Sequence, residues 1–254
     1  MLAAATNTFV RVLLAPVCAA CGHVLAYPLS NPVCQDCWQR TSAITPPWCV
    51  RCGDAIADWR SSLPLCARCR RREPQFALAR NAGRYDGSLR EIIHAFKYRK
   101  RRALASPLAA LMRAAGADVL NGADAVVPVP LHPLRALQRG FNQADDLARC
   151  LGPPVWRVLR RCRHGPPQAT LPAARRHANV RDAYALRAPL LSLVAGGTTL
   201  RSLRNRTVVL IDDVMTTGAT MEACGRVLRE GGVRSVRALT IARAVVGPRP
   251  QPPR

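Results

Sequence analysis

The chain has 254 residues, of which 49% are hydrophobic and 21% charged, a composition typical of a folded globular protein rather than a disordered one. That length suits one substantial core with a small additional domain. The formal net charge of +23 comes mostly from arginine, since Lys97 and Lys100 are the only lysines. The arginine excess fits either nucleic-acid binding or a GC-rich coding bias, and composition alone does not decide between them.

The first residues and the apolar runs bear on location. No apolar run approaches the roughly 20 residues that a membrane-spanning helix requires, so we expect a soluble, cytoplasmic protein with no membrane span. The apolar start is interrupted by Arg11 and has no charged leader before it, which argues against a signal peptide. We expect residues 7–15 to form a short amphipathic helix that leads into the first cysteine pair.

Four C-x-x-C pairs follow, with the sequences CAAC, CQDC, CVRC and CARC. Two residues between two thiolates let one turn present both sulfurs to one ion, and two such turns complete a tetrahedral zinc shell. Twelve, eleven and thirteen residues separate successive pairs, so the segment divides into two similar units. The sequence predicts about two structural zinc ions, with the ligands Cys18, Cys21, Cys34, Cys37, Cys49, Cys52, Cys66 and Cys69.

Other interpretations of the cysteine pairs remain open at this stage. A disulfide framework would require an oxidising compartment, and a redox role fits poorly with four copies and no thioredoxin-like strand pattern around them. Spacing does not show whether the zinc units are consecutive or cross-braced. We expect Cys150, Cys162 and Cys224 to be ordinary interior residues.

The pattern changes at about residue 76, after a charged run. Apolar residues at helical spacing predict a helix at 88–100, buried through Leu89, Ile92, Ile93 and Phe96. Strands alternating with helices imply crossover connections and an α/β fold, a mostly parallel sheet flanked by helices. Further helices are predicted at 103–120, 142–151 and 220–232, and strands at 124–131, 154–161, 206–213 and 233–243.

Two adjacent acids, Asp212 and Asp213, end the predicted strand at 206–213, where ligands bind in sheets of this kind. The small residues after them, TTGAT at 216–220, lead into a helix, and backbone amides, hydroxyls and a helix N-terminus together suit a phosphate. The acids would repel that phosphate, so we expect them to face sugar hydroxyls, a magnesium ion, or both. A simple helix N-cap is the alternative explanation of the acids.

The stretch VVLIDDVMTTGAT at 208–220 resembles the phosphoribosyl-pyrophosphate (PRPP) binding motif of type I phosphoribosyltransferases. Over roughly residues 10–245 the chain resembles the ComF family, whose members join a zinc-ribbon segment to a phosphoribosyltransferase-like domain. The resemblance also rests on IHAFKYRKRRALA, on VVPVPLHPLRALQRGFNQADDLAR and on PPQATLPAARRHANVRDAYAL. It implies a type I phosphoribosyltransferase-like fold, with an N-terminal helix and double zinc-ribbon domain at 1–75 and a phosphoribosyltransferase-like domain at 76–245. The proline-rich composition of residues 246–254 predicts a disordered tail.

The resemblance also implies a binding site for PRPP with Mg²⁺. Asp212 and Asp213 would hold the ribose hydroxyls, and the loop at 127–133 would meet the diphosphate, although its prolines remove amide donors. The 5-phosphate would lie in a loop formed by Thr216, Thr217, Gly218, Ala219 and Thr220. The diphosphate would be met by Pro130, Leu131, His132, Arg135, Arg139 and Lys97, with His132 either a hydrogen-bond donor or an ordinary surface histidine. Gln168, Arg176 and Asn179 would belong to a mobile flap.

Two functions from different classes follow. A phosphoribosyltransferase would displace pyrophosphate from magnesium-bound PRPP, and no acceptor pocket can be identified from the sequence. A non-catalytic protein of natural transformation would handle single-stranded DNA together with other DNA-uptake proteins, using the zinc ribbons and the basic segment KYRKRR at 97–102, where Tyr98 could stack on a base.

Overall fold

The computed structural model describes residues 16–27, 31–56, 64–162, 183–187 and 203–244. The predicted helix at 7–15, the three flap residues Gln168, Arg176 and Asn179, and the predicted tail at 246–254 lie outside these ranges, and they stay predictions. In the part of the chain that is described, no helix is long and apolar enough to cross a membrane.

Helices and strands alternate from residue 78 onward, as the apolar patterns predict. The strands are β1 (Leu78–Arg84), β2 (Ala125–Pro128), β3 (Leu159–Arg161), β4 (Tyr184–Leu186), β5 (Thr207–Met215) and β6 (Ser235–Arg243). The helices are α1 (Gln35–Gln39), α2 (Ala67–Arg71), α3 (Gly87–Tyr98), α4 (Ala105–Ala115), α5 (Ala117–Leu120), α6 (Pro133–Arg139), α7 (Gln143–Arg149) and α8 (Ala219–Glu230).

The main sheet is parallel throughout, with the strand order β1-β6-β5-β2. Its central strand β5 is buried on both faces from Thr207 to Ile211, which is why its sequence is continuously apolar rather than alternating. Val209 and Ile211 pack under α3, α4 and α7, whereas Val208 and Leu210 pack against α8. Helices therefore cover both faces, and the predicted α/β fold class is confirmed.

Both cysteine-rich units pack onto this sheet domain. The first unit contributes Cys18, Leu25 and Val33 to the core on the α3 side, and the second contributes Cys49 and Cys52 to the core on the α8 side. Backbone hydrogen bonds reinforce the contacts: the N–H of Arg84 donates to Ser42 (2.8 Å), and that of Ala79 donates to Arg51 (2.7 Å). The hydrophobic cores thus continue across the expected boundary near residue 75, while the division into domains stays a prediction.

Several predicted elements differ in extent from the structure, and the strand predicted at 124–131 is β2, which ends at Pro128. In the segment 154–161 only β3 is strand, and it pairs antiparallel with β4 in a separate two-stranded sheet. Val155 makes a single bridge to Val126 before the chain turns away from the main sheet. The predicted helix at 103–120 is divided at Gly116, where a Cβ atom would lie 2.4 Å from a Leu239 methyl group. Strand β5 continues to Met215, two residues beyond the acid pair.

Candidate metal centres and ligand-binding cavity

The eight predicted zinc ligands form two separate groups of four thiols. Within each group all four sulfur atoms lie within 4.8 Å of one another. The groups are consecutive rather than cross-braced, because each joins two neighbouring C-x-x-C pairs: Cys18, Cys21, Cys34 and Cys37 in the first, Cys49, Cys52, Cys66 and Cys69 in the second.

The chemistry of these groups fits structural zinc. All eight cysteines are free thiols, and the Cys21 and Cys34 sulfurs are 3.7 Å apart, much longer than a disulfide bond of about 2.05 Å. Four thiolates are a complete tetrahedral shell with no open position, which is the form of a structural rather than a catalytic site. Among the other cysteines Cys224 is buried as expected, but Cys150 is half-buried and Cys162 is exposed.

A cavity of about 580 Å³ lies beyond the carboxyl ends of β2 and β5. Eleven of the thirteen residues predicted for PRPP line it, the exceptions being His132 and Thr217. The eleven are Lys97, Pro130, Leu131, Arg135, Arg139, Asp212, Asp213, Thr216, Gly218, Ala219 and Thr220.

The acid pair and Lys97 form a charged group inside the cavity. The Lys97 Nζ lies 2.8 Å from an Asp213 carboxylate oxygen, and each of the two side chains is only 13% exposed. The Asp213 N–H donates to the Asp212 carboxylate at 2.9 Å. Burial, followed by the charge of Asp213, raises the pKa of Asp212 to about 7. Burial opposes the charge on Lys97, but Asp213 outweighs it and raises the pKa of that ammonium group.

The loop after β5 turns at Gly218 directly into helix α8. Gly218 has a φ of +81°, a conformation that glycine adopts without strain, and it is the N-cap of the 12-residue helix α8. The Thr217 hydroxyl accepts from the Ala219 N–H at 3.4 Å. The Thr217 carbonyl accepts from the guanidinium of Arg68, which belongs to the second zinc unit. The first N–H groups of a helix have no partner within the helix, and Gly218, Ala219 and Thr220 at the start of α8 line the cavity.

The second predicted loop continues β2. Val129 keeps the sheet register by donating to the Ile211 carbonyl at 2.9 Å, and Pro130 and Leu131 then turn along the cavity. His132 caps α6, with its Nδ1 accepting from the Leu134 N–H at 3.3 Å. This nitrogen is thus an acceptor at a helix end, which leaves the other ring nitrogen as the N–H of a neutral imidazole, so both interpretations of His132 stay open.

Other residues line the cavity besides those that the sequence placed at a PRPP site. Tyr98 is 56% exposed, and the Arg139 guanidinium lies 5.0 Å from its ring centroid. Arg161 stacks over Tyr184, 5.5 Å from that ring's centroid, and its buried Nε has no hydrogen-bond partner among the described residues. Arg161 lies in the predicted strand at 154–161 and Tyr184 in the three-residue strand β4, and no pattern marked either as a cavity residue. Tyr85 and Gln138 also line the cavity without having been expected, whereas Lys100 was expected as part of the basic segment 97–102.

The basic segment 97–102 is largely engaged with the protein itself. Besides the contact of Lys97 with Asp213, Arg99 donates to the Ala19 carbonyl of the first zinc unit at 3.4 Å. Arg102 binds Asp146 through two hydrogen bonds of 2.7 Å each. Lys100 lines the cavity and Arg101 is exposed, so these two residues are the cations of the segment most open to a ligand.

The comparisons with known proteins agree with this architecture. Residues 9–70 match the double zinc ribbon domain family, and residues 137–251 match the phosphoribosyl transferase domain family. The chain is thus a double zinc ribbon joined to a phosphoribosyltransferase-type domain. Together with the geometry of the two four-cysteine groups, this supports structural zinc at both sites.

Relatives that match over most of their length define the family. The chain is 29% identical to competence protein F of Haemophilus influenzae, over 84% of this chain and 91% of the relative. It is 30% identical to the DNA utilization protein YhgH of Salmonella typhimurium, over 78% and 84%, respectively. It is 28% identical to competence protein ComFC of Bacillus subtilis, over 84% of each chain. The chain belongs to this ComF family.

Proposed function

We propose that the cavity binds 5-phosphoribosyl diphosphate together with Mg²⁺. One observation supports the proposal above the others: strand β5 with its acid pair, the loop at 216–220 and the N-terminus of α8 line a single cavity. A phosphate-binding turn beside two carboxylates suits a sugar phosphate, which presents an anion and hydroxyl groups to the two features separately.

Each part of the ligand has a suitable counterpart in this arrangement. The 5-phosphate would accept from the amides of Gly218, Ala219 and Thr220 at the positive end of the α8 dipole. The ribose hydroxyls would donate to Asp212 and Asp213. Bound Mg²⁺ would neutralise charge on the diphosphate, and Arg135 and Arg139 would add further positive charge there.

Phosphoribosyl transfer is the reaction that such a complex would support. The bond between the anomeric carbon and the diphosphate oxygen would break, the electron pair would leave with pyrophosphate, and an acceptor nucleophile would form the new bond. Lys97 and the cavity arginines would stabilise the leaving charge, a role that needs fixed cations rather than a proton donor. The acceptor is left unnamed, because no described residue selects one.

Single-stranded DNA handling is the second candidate function. The relatives are named as competence and DNA utilization proteins, which favours a role in DNA uptake alongside other uptake proteins, in the cytoplasm. Exposed Tyr98 beside Arg139 offers a stacking surface at the cavity, where a base and its phosphate could bind. The two functions are compatible, because a sugar phosphate is also a component of the DNA backbone.

Calorimetric titration separates these proposals. PRPP should bind in the presence of Mg²⁺ and much more weakly without it, and Thr220→Val should reduce the affinity by removing one hydroxyl donor. Glu230→Gln at the far end of α8 is the matched control and should leave the affinity unchanged. Binding of a single-stranded oligonucleotide without any binding of PRPP would reject the first proposal in favour of the second.

A further inference from the structure

The second zinc unit contacts the predicted phosphate loop through one side chain. Arg68 lies in α2 between the thiols of Cys66 and Cys69, and its guanidinium donates to the Thr217 carbonyl. A Cβ atom built on Gly218 would be 3.6 and 3.7 Å from the two terminal nitrogens of Arg68, so the guanidinium lies directly against this turn. Arg68 does not line the cavity itself.

This contact determines which way one peptide group points. In a trans peptide the carbonyl of one residue and the N–H of the next point in opposite directions. A donor that holds the Thr217 carbonyl on the zinc-ribbon side therefore turns the Gly218 N–H to the opposite side, toward the cavity. An amide fixed in advance toward an anion binds it without the cost of ordering the loop.

The second zinc unit is held firmly enough to fix such a contact. The Gln75 N–H donates to the Glu222 carboxylate in α8 at 3.1 Å, and Arg243 of β6 binds Asp54 at 3.0 Å. The Asn81 amide of β1 donates to the Cys52 carbonyl at 3.2 Å. The unit is thus joined to three elements of the sheet domain, and α2 itself begins directly after the zinc ligand Cys66.

We propose that Arg68 is a positioning residue for the loop at 216–220. The metal-bound second zinc unit thereby helps to form the binding site for the phosphate monoester of the ligand. The inference rests on the proposed function of the cavity as a sugar-phosphate site. The second zinc unit then has a role in the site in addition to its own folding. Metal binding orders α2, and the Arg68 guanidinium on α2 fixes the orientation of the Gly218 amide.

The test compares Arg68→Gln with Arg68→Lys and with Arg70→Gln, all in the full-length, zinc-loaded protein. Arg70 is the matched control, because it is exposed on the same short helix and carries the same charge. Two properties are measured: affinity for ribose 5-phosphate and for magnesium pyrophosphate, and hydrogen exchange of the Glu222 amide in the absence of ligand. That amide donates to the Gly218 carbonyl at 2.9 Å and so reports order at the start of α8.

Arg68→Gln should weaken ribose 5-phosphate binding about tenfold, leave magnesium pyrophosphate binding unchanged and speed Glu222 exchange at least fivefold. Zinc content should stay at that of the wild type, Arg68→Lys should recover part of the affinity, and Arg70→Gln should behave as the wild type. Equal behaviour of Arg68→Gln and Arg70→Gln would overturn the inference, as would zinc loss that accounts for the whole effect. If the wild type binds neither PRPP nor ribose 5-phosphate, the proposed function fails, and the exchange comparison alone decides whether Arg68 orders the loop.

Discussion

The ionised carboxylate of Asp212 should destabilise the folded protein at neutral and alkaline pH, and Asp212→Asn should remove this destabilisation. Burial and the charge of Asp213 raise the pKa of Asp212 from 3.8 to about 7. Asp212 therefore binds its proton more tightly in the folded protein than in the unfolded chain. Its contribution to the free energy of unfolding is fully present below about pH 4. That stability is lost as the pH rises through about 7.

The magnitude follows from the size of the pKa change. A rise from 3.8 to about 7 corresponds to about 4 kcal/mol of lost stability once Asp212 is fully ionised. A smaller part of this is already lost at pH 5, so Asp212→Asn should gain about 2 to 3 kcal/mol over the wild type between pH 5 and pH 8. Asparagine has nearly the same shape and its carbonyl can keep the hydrogen bond from the Asp213 N–H.

Urea unfolding of both proteins at pH 5, 6.5 and 8 measures this difference. Asp36→Asn, which replaces an exposed carboxylate on α1, is the control and should show no comparable dependence on pH. A stability difference between Asp212→Asn and the wild type that stays constant from pH 5 to pH 8 would refute the idea of a desolvated carboxylate. Asp212→Asn should also bind PRPP more weakly, as expected when a site keeps a destabilising group for its function.

Three further predictions concern Asp213, the zinc content and the binding of DNA. Asp213→Asn should destabilise the protein by about 3 to 5 kcal/mol, the opposite effect to Asp212→Asn, because it leaves the ammonium group of Lys97 buried without its nearest carboxylate. In urea unfolding, adding Lys97→Met should restore part of the lost stability. Elemental analysis of protein purified under reducing conditions should give about two zinc ions per chain. Chelation should abolish the structure of residues 18–69, as followed by circular dichroism, and a zinc-free protein that stays folded would contradict this prediction. If single-stranded DNA binds at the cavity, changing Lys100 and Arg101 to Gln should reduce the slope of log affinity against log salt by about 1.4, whereas an unchanged slope would place DNA elsewhere.

The elements that the sequence predicted well are those governed by local patterns. Helix α3 buries Leu89, Ile92, Ile93 and Phe96, all of them expected from helical spacing. The C-x-x-C pairs were sufficient to predict the ligands of both metal groups, because each pair needs only one turn. Which pairs combine depends on packing against the sheet, and spacing carries no information about that.

The predicted site residues came from the strand β5 motif, whose residues are neighbours in sequence. The missed residues are brought in by tertiary packing: Arg68 comes from 149 positions before Thr217, and Arg161 from a three-residue strand in a separate sheet. Lys97, expected at the diphosphate, lines the cavity and also forms an ion pair with Asp213, a contact between positions far apart in sequence that local patterns do not predict. That contact also explains why the basic segment 97–102 has fewer open cations than its sequence suggests.

A crystal structure of the zinc-loaded protein with PRPP and Mg²⁺ would show whether the cavity holds a sugar phosphate. We expect the 5-phosphate within hydrogen-bonding distance of the Gly218, Ala219 and Thr220 amides, with the ribose hydroxyls on Asp212 and Asp213. Density for PRPP at any other surface, with the 216–220 loop left without a phosphate, would contradict it.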